Sequence, residues 1–377
     1  MSAQATPARW LRRNLFATPA DMGISVVCVA ACAWALVSLT HWGLAVANWS
    51  SVTDNLRVFM VGTYPADMMW RAWASALVLV CLSGLSMGSV AGSLSRVTLP
   101  AAVVAALVAA ASQCTGAERW AATLAMAAAA LVAWICGGKS PIVRRLLPTL
   151  WAAAVVGVVV ALAPAGMERW GGLLMSVLFT LLASVLSVPL GIALALGRRS
   201  RHPSARVLCA AYIESMRSLP LILVVYCIWI ILPLLSPDQP GPDLARGLFG
   251  FTLFFAAYVA EYVRSGLQSI PRGQVEAAQS LGMSAHRVNF DIVLPQAIRV
   301  VVPALVGNVL DIFNTVPLLF IIGATDFLRA GQMILVNPRY SGATYEIYAF
   351  MFAVYLGVAS LITFGARRLE TRLSAGR

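Results

Sequence analysis

Long apolar runs recur along this chain, and shorter polar or charged stretches separate them. A helix of about 20 residues rises about 30 Å, which is the thickness of the hydrocarbon core of a bilayer. The runs lack the strict alternation of apolar and polar residues that is typical of membrane barrel strands. We therefore expect an all-α polytopic integral membrane protein with about ten transmembrane helices. The predicted spans cover residues 24–47, 73–93, 99–112, 120–136, 148–164, 171–197, 212–235, 247–263, 300–322 and 346–366.

Composition and charge support this class of protein. Hydrophobic residues make up 60% of the 377 residues and charged residues only 11%, whereas soluble domains carry about 25% charged residues. The net charge is +12, but the basic residues concentrate in loops and tails that the span order places on one side. This bias is the positive-inside rule. It predicts cytoplasmic N- and C-termini, and it argues against a nucleic-acid partner because no basic soluble domain is present.

Catalytic and metal-binding patterns are absent from the sequence. The seven cysteines lie within or beside apolar runs without a CxxC pair, and the three histidines are scattered. Gly138-Lys139-Ser140 resembles the end of a phosphate-binding loop, but Ala133 stands where that pattern requires glycine. We expect no catalytic residue, no metal site and no cofactor on this chain, so that any ATP is bound and hydrolysed by a partner chain.

The polar loop over residues 276–295 reads EAAQSLGMSAHRVNFDIVLP, which is E-A-A, three residues, Gly, nine residues, then I-x-L-P. We predict a short helix over residues 272–280, followed by a backbone turn that Gly282 permits. A second helix is predicted from Ser284 to Val293, with Pro295 beginning the return to the membrane. Small side chains would let the first helix lie in a groove of a partner protein. An amphipathic loop resting on the bilayer surface is the alternative.

Four segments in the second half of the chain, two of which overlap this loop, carry a resemblance to a known family. They are GGLLMSVLFTLLASVLSVPLGIALALGRRS, YIESMRSLPLI, AAYVAEYVRSGLQSIPRGQVEAAQSLG and VLPQAIRVVVPAL. Together they resemble the permeases of polar amino-acid ABC importers over residues 171–370. The additional spans before residue 171 resemble those of the longer, broad-range amino-acid permeases of that family.

The resemblance implies an architecture and a set of partners. Residues 171–370 would form a five-helix ABC transmembrane type-1 core of the type I importer class, with a cytoplasmic coupling loop over residues 265–298. Residues 1–165 would form an N-terminal transmembrane extension. The implied partners are a cytoplasmic ABC ATPase dimer that carries the ATP, a second permease subunit (homologous or identical), a periplasmic solute-binding protein, and the lipid of a bacterial inner membrane. The implied ATPase-coupling residues are Gln274, Glu276, Ala277, Ala278, Leu281, Gly282, Leu294 and Pro295.

Polar residues within the predicted spans are candidates for the translocation pathway, because such groups are costly in a membrane. The candidates are Glu214, Arg217, Glu261, Asp311, Asn314 and Thr315. For Glu214 with Arg217, and for Glu261 with Arg264, an ion pair between residues three apart on one helix is the competing interpretation. For Asp311, Asn314 and Thr315 the competing interpretation is a polar contact that packs helices.

The substrate is left open by one departure from the family. Amino-acid permeases commonly carry Lys-Asp-Thr where this chain has Asn314-Thr315-Val316. We therefore expect an ATP-driven importer for polar amino acids, opines or related compounds. Two other classes stay open at this point: an ion- or proton-coupled secondary transporter that uses Asp311 and Glu261, and a membrane sensor that keeps the docking loop without transporting a solute.

Overall fold

The residues that the structure describes form helices joined by turns and loops, with one two-residue strand at Thr325–Asp326, in agreement with the predicted helical class. A computed structural model describes residues 17–91, 125, 128–137, 141–238 and 241–374. The predicted span over residues 99–112 and the beginning of the one over residues 120–136 lie outside the described residues. The principal helices are α1 (Pro19–His41), α2 (Leu56–Val61), α3 (Met69–Ala91), α4 (Ala128–Gly137), α5 (Pro141–Leu162), α6 (Gly172–Arg198), α7 (Pro203–Ser218), α8 (Leu221–Leu235), α9 (Asp243–Gln268), α10 (Arg272–Ser280), α11 (Leu294–Thr315), α12 (Phe327–Val336) and α13 (Thr344–Ser374).

Six stretches of the described chain are long and apolar enough to cross a membrane, and a seventh is formed if α7 and α8 count as one span. The six are Pro19–Val46, Met69–Ser86, Gly172–Arg198, Asp243–Gln268, Val300–Ile322 and Thr344–Gly365. The multi-pass helical class predicted from the apolar runs is therefore confirmed.

The predicted span over residues 212–235 differs from a single straight helix. Two helices, α7 and α8, occupy this region and are bent by 111° relative to each other. Leu219 is extended at the bend, with φ −93° and ψ 147°, because the ring of Pro220 disfavours a helical conformation in the residue before it. The polar end of α7, which carries Glu214 and Arg217, is therefore separated from the apolar α8.

The chain divides into two compact units, which comprise residues up to Ser50 and residues from Ser51 onward. In the first unit, Thr18 caps α1 through a capping box: its hydroxyl accepts a hydrogen bond from the Asp21 backbone N–H, and the Asp21 carboxylate accepts one from the Thr18 backbone N–H. The apolar side chains along α1 are exposed, as suits a helix that faces lipid tails.

In the second unit, α6 and α9 pack closely along their length. A Cβ atom on Gly191 of α6 would lie 2.5 Å from the side chain of Val259 on α9. A Cβ atom on Gly266, near the end of α9, would lie 2.8 Å from the backbone oxygen of Ala297 on α11. Small residues at these points let membrane helices approach closely, and the three helices form the centre of the unit.

Residues 51–64 form a plug in the core, although their sequence reads as an external loop between two spans. Phe59 of α2 is fully buried, and its ring lies 5.7 Å from that of Phe327 and 4.9 Å from that of Phe350. The hydroxyl of Tyr340 donates a hydrogen bond to Asp54 at 2.9 Å. The plug therefore packs against α12, α13 and the loop that joins them.

The backbone at the start of α6 lies against the backbone of the plug. Gly172 has φ +63°, and a Cβ atom there would lie 2.4 Å from the carbonyl oxygen of Phe59. Gly171 and Gly172 form parallel bridges with Thr325 and Asp326. Only glycine fits this position without strain, because it allows both the positive φ and the close approach.

Asp326 is a buried carboxyl at the same junction, immediately before α12. The backbone N–H groups of Leu328 and Arg329 donate hydrogen bonds to its two carboxylate oxygens, each at 3.0 Å. The hydroxyl of Tyr355 lies 3.4 Å from one of these oxygens. Asp326 thus caps α12, and burial raises its pKa to about 6.

Candidate functional site

The predicted coupling loop has a defined backbone in the structure. The predicted helix over residues 272–280 is confirmed as α10. Beyond it, Gly282 adopts φ +78°, the backbone N–H of Gly282 donates to the Gln279 carbonyl, and that of Met283 donates to the Ala278 carbonyl. This pair of hydrogen bonds is a Schellman motif, which requires a left-handed residue after the helix. The predicted turn at Gly282 is therefore present.

The two faces of α10 have different surroundings. Ala278 is 3% exposed and belongs to a buried apolar cluster, which Val275 also contacts. Glu276 and Ala277 are exposed, and Leu281 just beyond the helix is 83% exposed. The Ala278 side chain therefore packs against the permease body in this conformation, and its part in coupling to an ATPase stays a prediction. Successive helical residues are about 100° apart, so that Ala278 points into the permease body when Ala277 points out.

The second half of the loop also differs from its prediction. Instead of one helix from Ser284 to Val293, a short α-helical turn (Ala285–Arg287) leads into a π-helical segment (Val288–Val293). Both ends of this π-helical segment are buried valines. Wider winding lets them reach the same apolar cluster that holds Ala278.

The end of the loop leads directly into α11, which begins at Leu294, beside the predicted position Pro295. Leu294 is half-buried and Pro295 is exposed, and both stand in the first turn of α11. The side chain of Gln296 donates a hydrogen bond to the amide oxygen of Gln274 at 2.8 Å. This bond ties the exposed first turn of α10 to the start of α11.

Glu261 is the centre of an ion cluster that joins α6, α7 and α9. It pairs with Arg198 at 2.9 Å, with Arg217 at 3.4 Å and with Arg264 at 2.8 Å. Arg198 also pairs with Glu214 at 2.7 Å. The Glu261 side chain is 14% exposed, whereas that of Glu214 is 67% exposed. The five side chains carry three positive and two negative charges.

Of the two expected ion pairs at three-residue spacing, only Glu261 with Arg264 forms. In the described part of the chain, Glu214 pairs with Arg198 instead of Arg217, and Arg217 turns to Glu261. The guanidinium of Arg217 also lies 5.5 Å from the ring centroid of Tyr258. Tertiary contacts between helices therefore override the local pairing of Glu214 and Arg217.

Asp311 and Asn314 share an exposed face of α11, together with Ala304 about two turns before Asp311. The hydroxyl of Thr315 donates hydrogen bonds to the backbone carbonyls of Asp311 and Ile312, at 2.8 and 2.9 Å. The Thr315 hydroxyl is thus hydrogen-bonded within its own helix. Among the described residues, no ion pair or side-chain hydrogen bond links this face to the Glu261 cluster.

Two polar residues of interest were not singled out from the sequence. Arg198 pairs with both glutamates of the ion cluster, and in the sequence it stands in the basic run GRRS. Asn308 of α11 is 3% exposed, and its side-chain oxygen has no hydrogen-bond partner within the described residues. A helical wheel would have placed it one turn from Asp311. No group of three metal-ligating side chains forms in the described ranges.

Comparison with known proteins assigns the chain to a family. Residues 187–374 match the family described as binding-protein-dependent transport system inner membrane component. The chain is 30% identical to the inner membrane amino-acid ABC transporter permease protein YhdY of Escherichia coli (strain K12), over 98% of this chain and 93% of that protein. The chain is an amino-acid ABC transporter permease.

Other relatives of the permease divide into long and short forms. It is 27% identical to the glutamate/glutamine/aspartate/asparagine transport system permease protein BztC of Rhodobacter capsulatus, over 94% of this chain and 90% of that protein. It is 34% identical to the glutamate transport system permease protein GluD of Corynebacterium glutamicum, over 55% of this chain and 74% of that protein. A solved structure of an amino acid ABC transporter with histidines covers 53% of this permease and 92% of its own chain, with 28% identity and a TM-score of 0.48.

Proposed function

We propose that this permease lines the translocation pathway of an ATP-driven importer for polar amino acids or related compounds. Its coupling loop docks on a separate cytoplasmic ATPase dimer, which binds and hydrolyses the ATP. The observation that carries this proposal is the exposed ridge of Glu276, Ala277 and Leu281, held in place by the Schellman motif at Gly282. Leu281, which is 83% exposed, is the apolar side chain that this ridge offers to a partner protein.

The buried side of the loop supplies the mechanical connection. Ala278 packs in one apolar cluster with Ala195 of α6, Val263 of α9 and Ala297 of α11. Closely packed interiors transmit displacement because they have low compressibility. When the ATPases close and move the exposed ridge, α10 carries the inner ends of these spans with it. Such a movement would open the pathway alternately to the two sides of the membrane.

The pathway itself is proposed to lie along the exposed face of α11, between this permease and a second permease subunit. Asp311 and Asn314 face away from the described body, and an exposed carboxylate suits the ammonium group that every amino acid carries. BztC is a permease for glutamate, glutamine, aspartate and asparagine by its name, which supports a polar amino acid as the substrate class here. A periplasmic solute-binding protein delivers the substrate, and the termini lie on the cytoplasmic side of a bacterial inner membrane.

The docking proposal is tested by crosslinking from single cysteines in a cysteine-free full-length chain. Leu281→Cys should capture an ABC ATPase in native membranes, since this side chain is exposed. Ala278→Cys is the matched control on the buried side of the same loop, and it should capture no partner. Capture of lipid alone from Leu281→Cys would contradict the docking proposal. Uptake without nucleotide would favour an ion-coupled carrier.

The pathway proposal has its own test. Asp311→Asn should reduce substrate uptake by about tenfold, as expected for the loss of one charge-assisted contact of about 1.4 kcal/mol. Crosslinking of the ATPase from Leu281→Cys should be unchanged in the same variant. Unaltered uptake would assign Asp311 to helix packing and would leave the docking proposal intact.

A further inference from the structure

A slot of about 320 Å³ lies between the helices that precede α6 and the core helices of the permease. One wall is α3 with the end of α2, and the opposite wall is formed by α6, α11 and α13. The slot is partly open to its surroundings within the described part of the chain. Side chains that line it include Met60, Trp73, Ala76, Val177, Phe313 and Val358.

The hydroxyl groups that line this slot are already hydrogen-bonded to the protein. The two groups, those of Ser83 and Thr180, donate to carbonyl oxygens of their own helices, Ser83 to Leu79 and Thr180 to Ser176. The remaining lining is aliphatic or aromatic. Water needs two to four polar partners to stay in a cavity, whereas apolar cavities of about 150 Å³ take up benzene-sized ligands. The occupant that suits the slot is therefore apolar.

The length of the slot matches one leaflet of the membrane. Its lining on α3 runs from Ala72 to Ser83, which is about 16 Å along a helix axis. Half of a hydrocarbon core is about 15 Å. Because the surrounding helices are spans, the medium at the opening is lipid tails, and one acyl chain can slide in sideways along its length.

A basic residue, Arg57, lies one helical turn before the part of α2 that lines the slot. Arg57 lies on α2 three and four residues before Met60 and Val61, so that all three share one face of the helix. Both apolar residues line the slot. Arg57 is half-buried, and its guanidinium donates one hydrogen bond to the Tyr64 carbonyl at 2.9 Å. The guanidinium has five N–H donors in all and binds phosphate readily.

We propose that a membrane glycerophospholipid occupies this site, with one acyl chain in the slot and its phosphate near Arg57. The site is separate from the coupling loop and from the exposed face of α11. A bound lipid would fill the space between the preceding helices and the core, so that it acts as a structural ligand of the permease. An apolar slot with an arginine one helical turn from its lining matches the acyl chain and the phosphate of an anionic phospholipid.

Photo-crosslinking tests the site in the full-length chain reconstituted in liposomes. The probe is phosphatidylglycerol with a diazirine near the end of one acyl chain. In the wild type, labelled residues should map to the slot walls on α3 and α6. Ala76→Phe fills the slot and should lower that labelling by about tenfold, a loss of about 1.4 kcal/mol. Ala74→Phe is the control, because Ala74 lies on the same helix but is exposed and does not line the slot.

A second comparison tests the proposed contact between Arg57 and the lipid phosphate without altering the slot lining. Arg57→Gln should reduce labelling by the phospholipid probe but not by a diazirine fatty alcohol, which lacks the phosphate. Wild-type labelling spread evenly over exposed helix faces would overturn the proposal. So would equal labelling of Ala76→Phe and Ala74→Phe, or crosslinks showing that another part of this chain fills the slot. If Ala76→Phe fails to insert, the wild-type map and Arg57→Gln decide the question.

Discussion

Replacing Gly172 by alanine should loosen the attachment of the plug formed by residues 51–64. The added Cβ would lie 2.4 Å from the oxygen of Phe59, 2.5 Å from the carbon of Met60 and 2.6 Å from the nitrogen of Val61. All three are backbone atoms, so that no side-chain rotation relieves the overlap. Comfortable separations between such atoms are about 3.5 Å, and α2 must therefore move by about 1 Å.

The free-energy cost has two parts. A non-glycine residue at the observed φ of +63° costs about 1–2 kcal/mol. Displacement of α2 also weakens the packing of Phe59 against Phe327 and Phe350, for which complete loss of a buried phenylalanine costs about 3–5 kcal/mol. Since the packing would be lost only in part, we expect a destabilisation of about 2–5 kcal/mol.

Thermal unfolding of the detergent-solubilised protein, followed by tryptophan fluorescence, measures this effect. Gly172→Ala should lower the melting temperature by about 5 °C or more. Gly157→Ala is the matched control, because Gly157 lies within α5 and a Cβ atom there would meet nothing within 4 Å. That control should leave the melting temperature unchanged or raise it slightly. A Gly172→Ala protein that inserts and melts within about 1 °C of the wild type would refute the steric reasoning.

Three further substitutions test other features. Glu261→Gln should destabilise the protein by about 2 kcal/mol in the same melting assay, because it removes the anion that pairs with three arginines, and the partial exposure of those arginines lets solvent screen part of the loss. Glu214→Gln, at an exposed position, should cost less than about 1 kcal/mol. Equal costs would contradict the assigned burial. Gly282→Ala should reduce substrate-stimulated ATPase activity, whereas Gly273→Ala should not. A Cβ atom would meet nothing within 4 Å at either glycine, but only Gly282 has a positive φ. Equal activities of the two variants would show that the turn is not needed. Burial raises the pKa of Asp326 to about 6. Its contribution to stability is therefore complete below the unfolded-state pKa of about 3.9 and is lost as the pH rises to about 6, a change of up to about 3 kcal/mol. The melting temperature of the wild type minus that of Asp326→Asn should fall over this pH range, and a constant difference would contradict the raised pKa.

Features set by local sequence were predicted well. The helix over residues 272–280 and the turn at Gly282 follow from neighbouring residues alone, and both are present. The long apolar runs likewise identified spans that the structure retains. The break at Pro220 was available in the sequence, but the apolar composition on either side of it favoured a continuous span.

Features set by tertiary contacts were not predicted. Residues 51–64 contain enough polar side chains to resemble an external loop, and only the spacing of Leu56, Phe59 and Met60 signals a buried helical face. The burial of Asp326 arises from elements distant in sequence, since the backbone of Gly172 and the hydroxyl of Tyr355 both lie beside it. The inward position of Ala278 likewise depends on a cluster drawn from α6, α9 and α11.

The plug formed by residues 51–64 bears on the engineering of chimeric permeases. Relatives such as GluD align with only 55% of this chain, which makes the preceding helices look like a detachable module. Deleting them here would uncover Phe327, which is fully buried, and would leave Tyr340 without the carboxylate that it contacts. A graft of these helices onto a short permease would therefore need matching replacements in the host at the start of α6 and in the loop between α12 and α13.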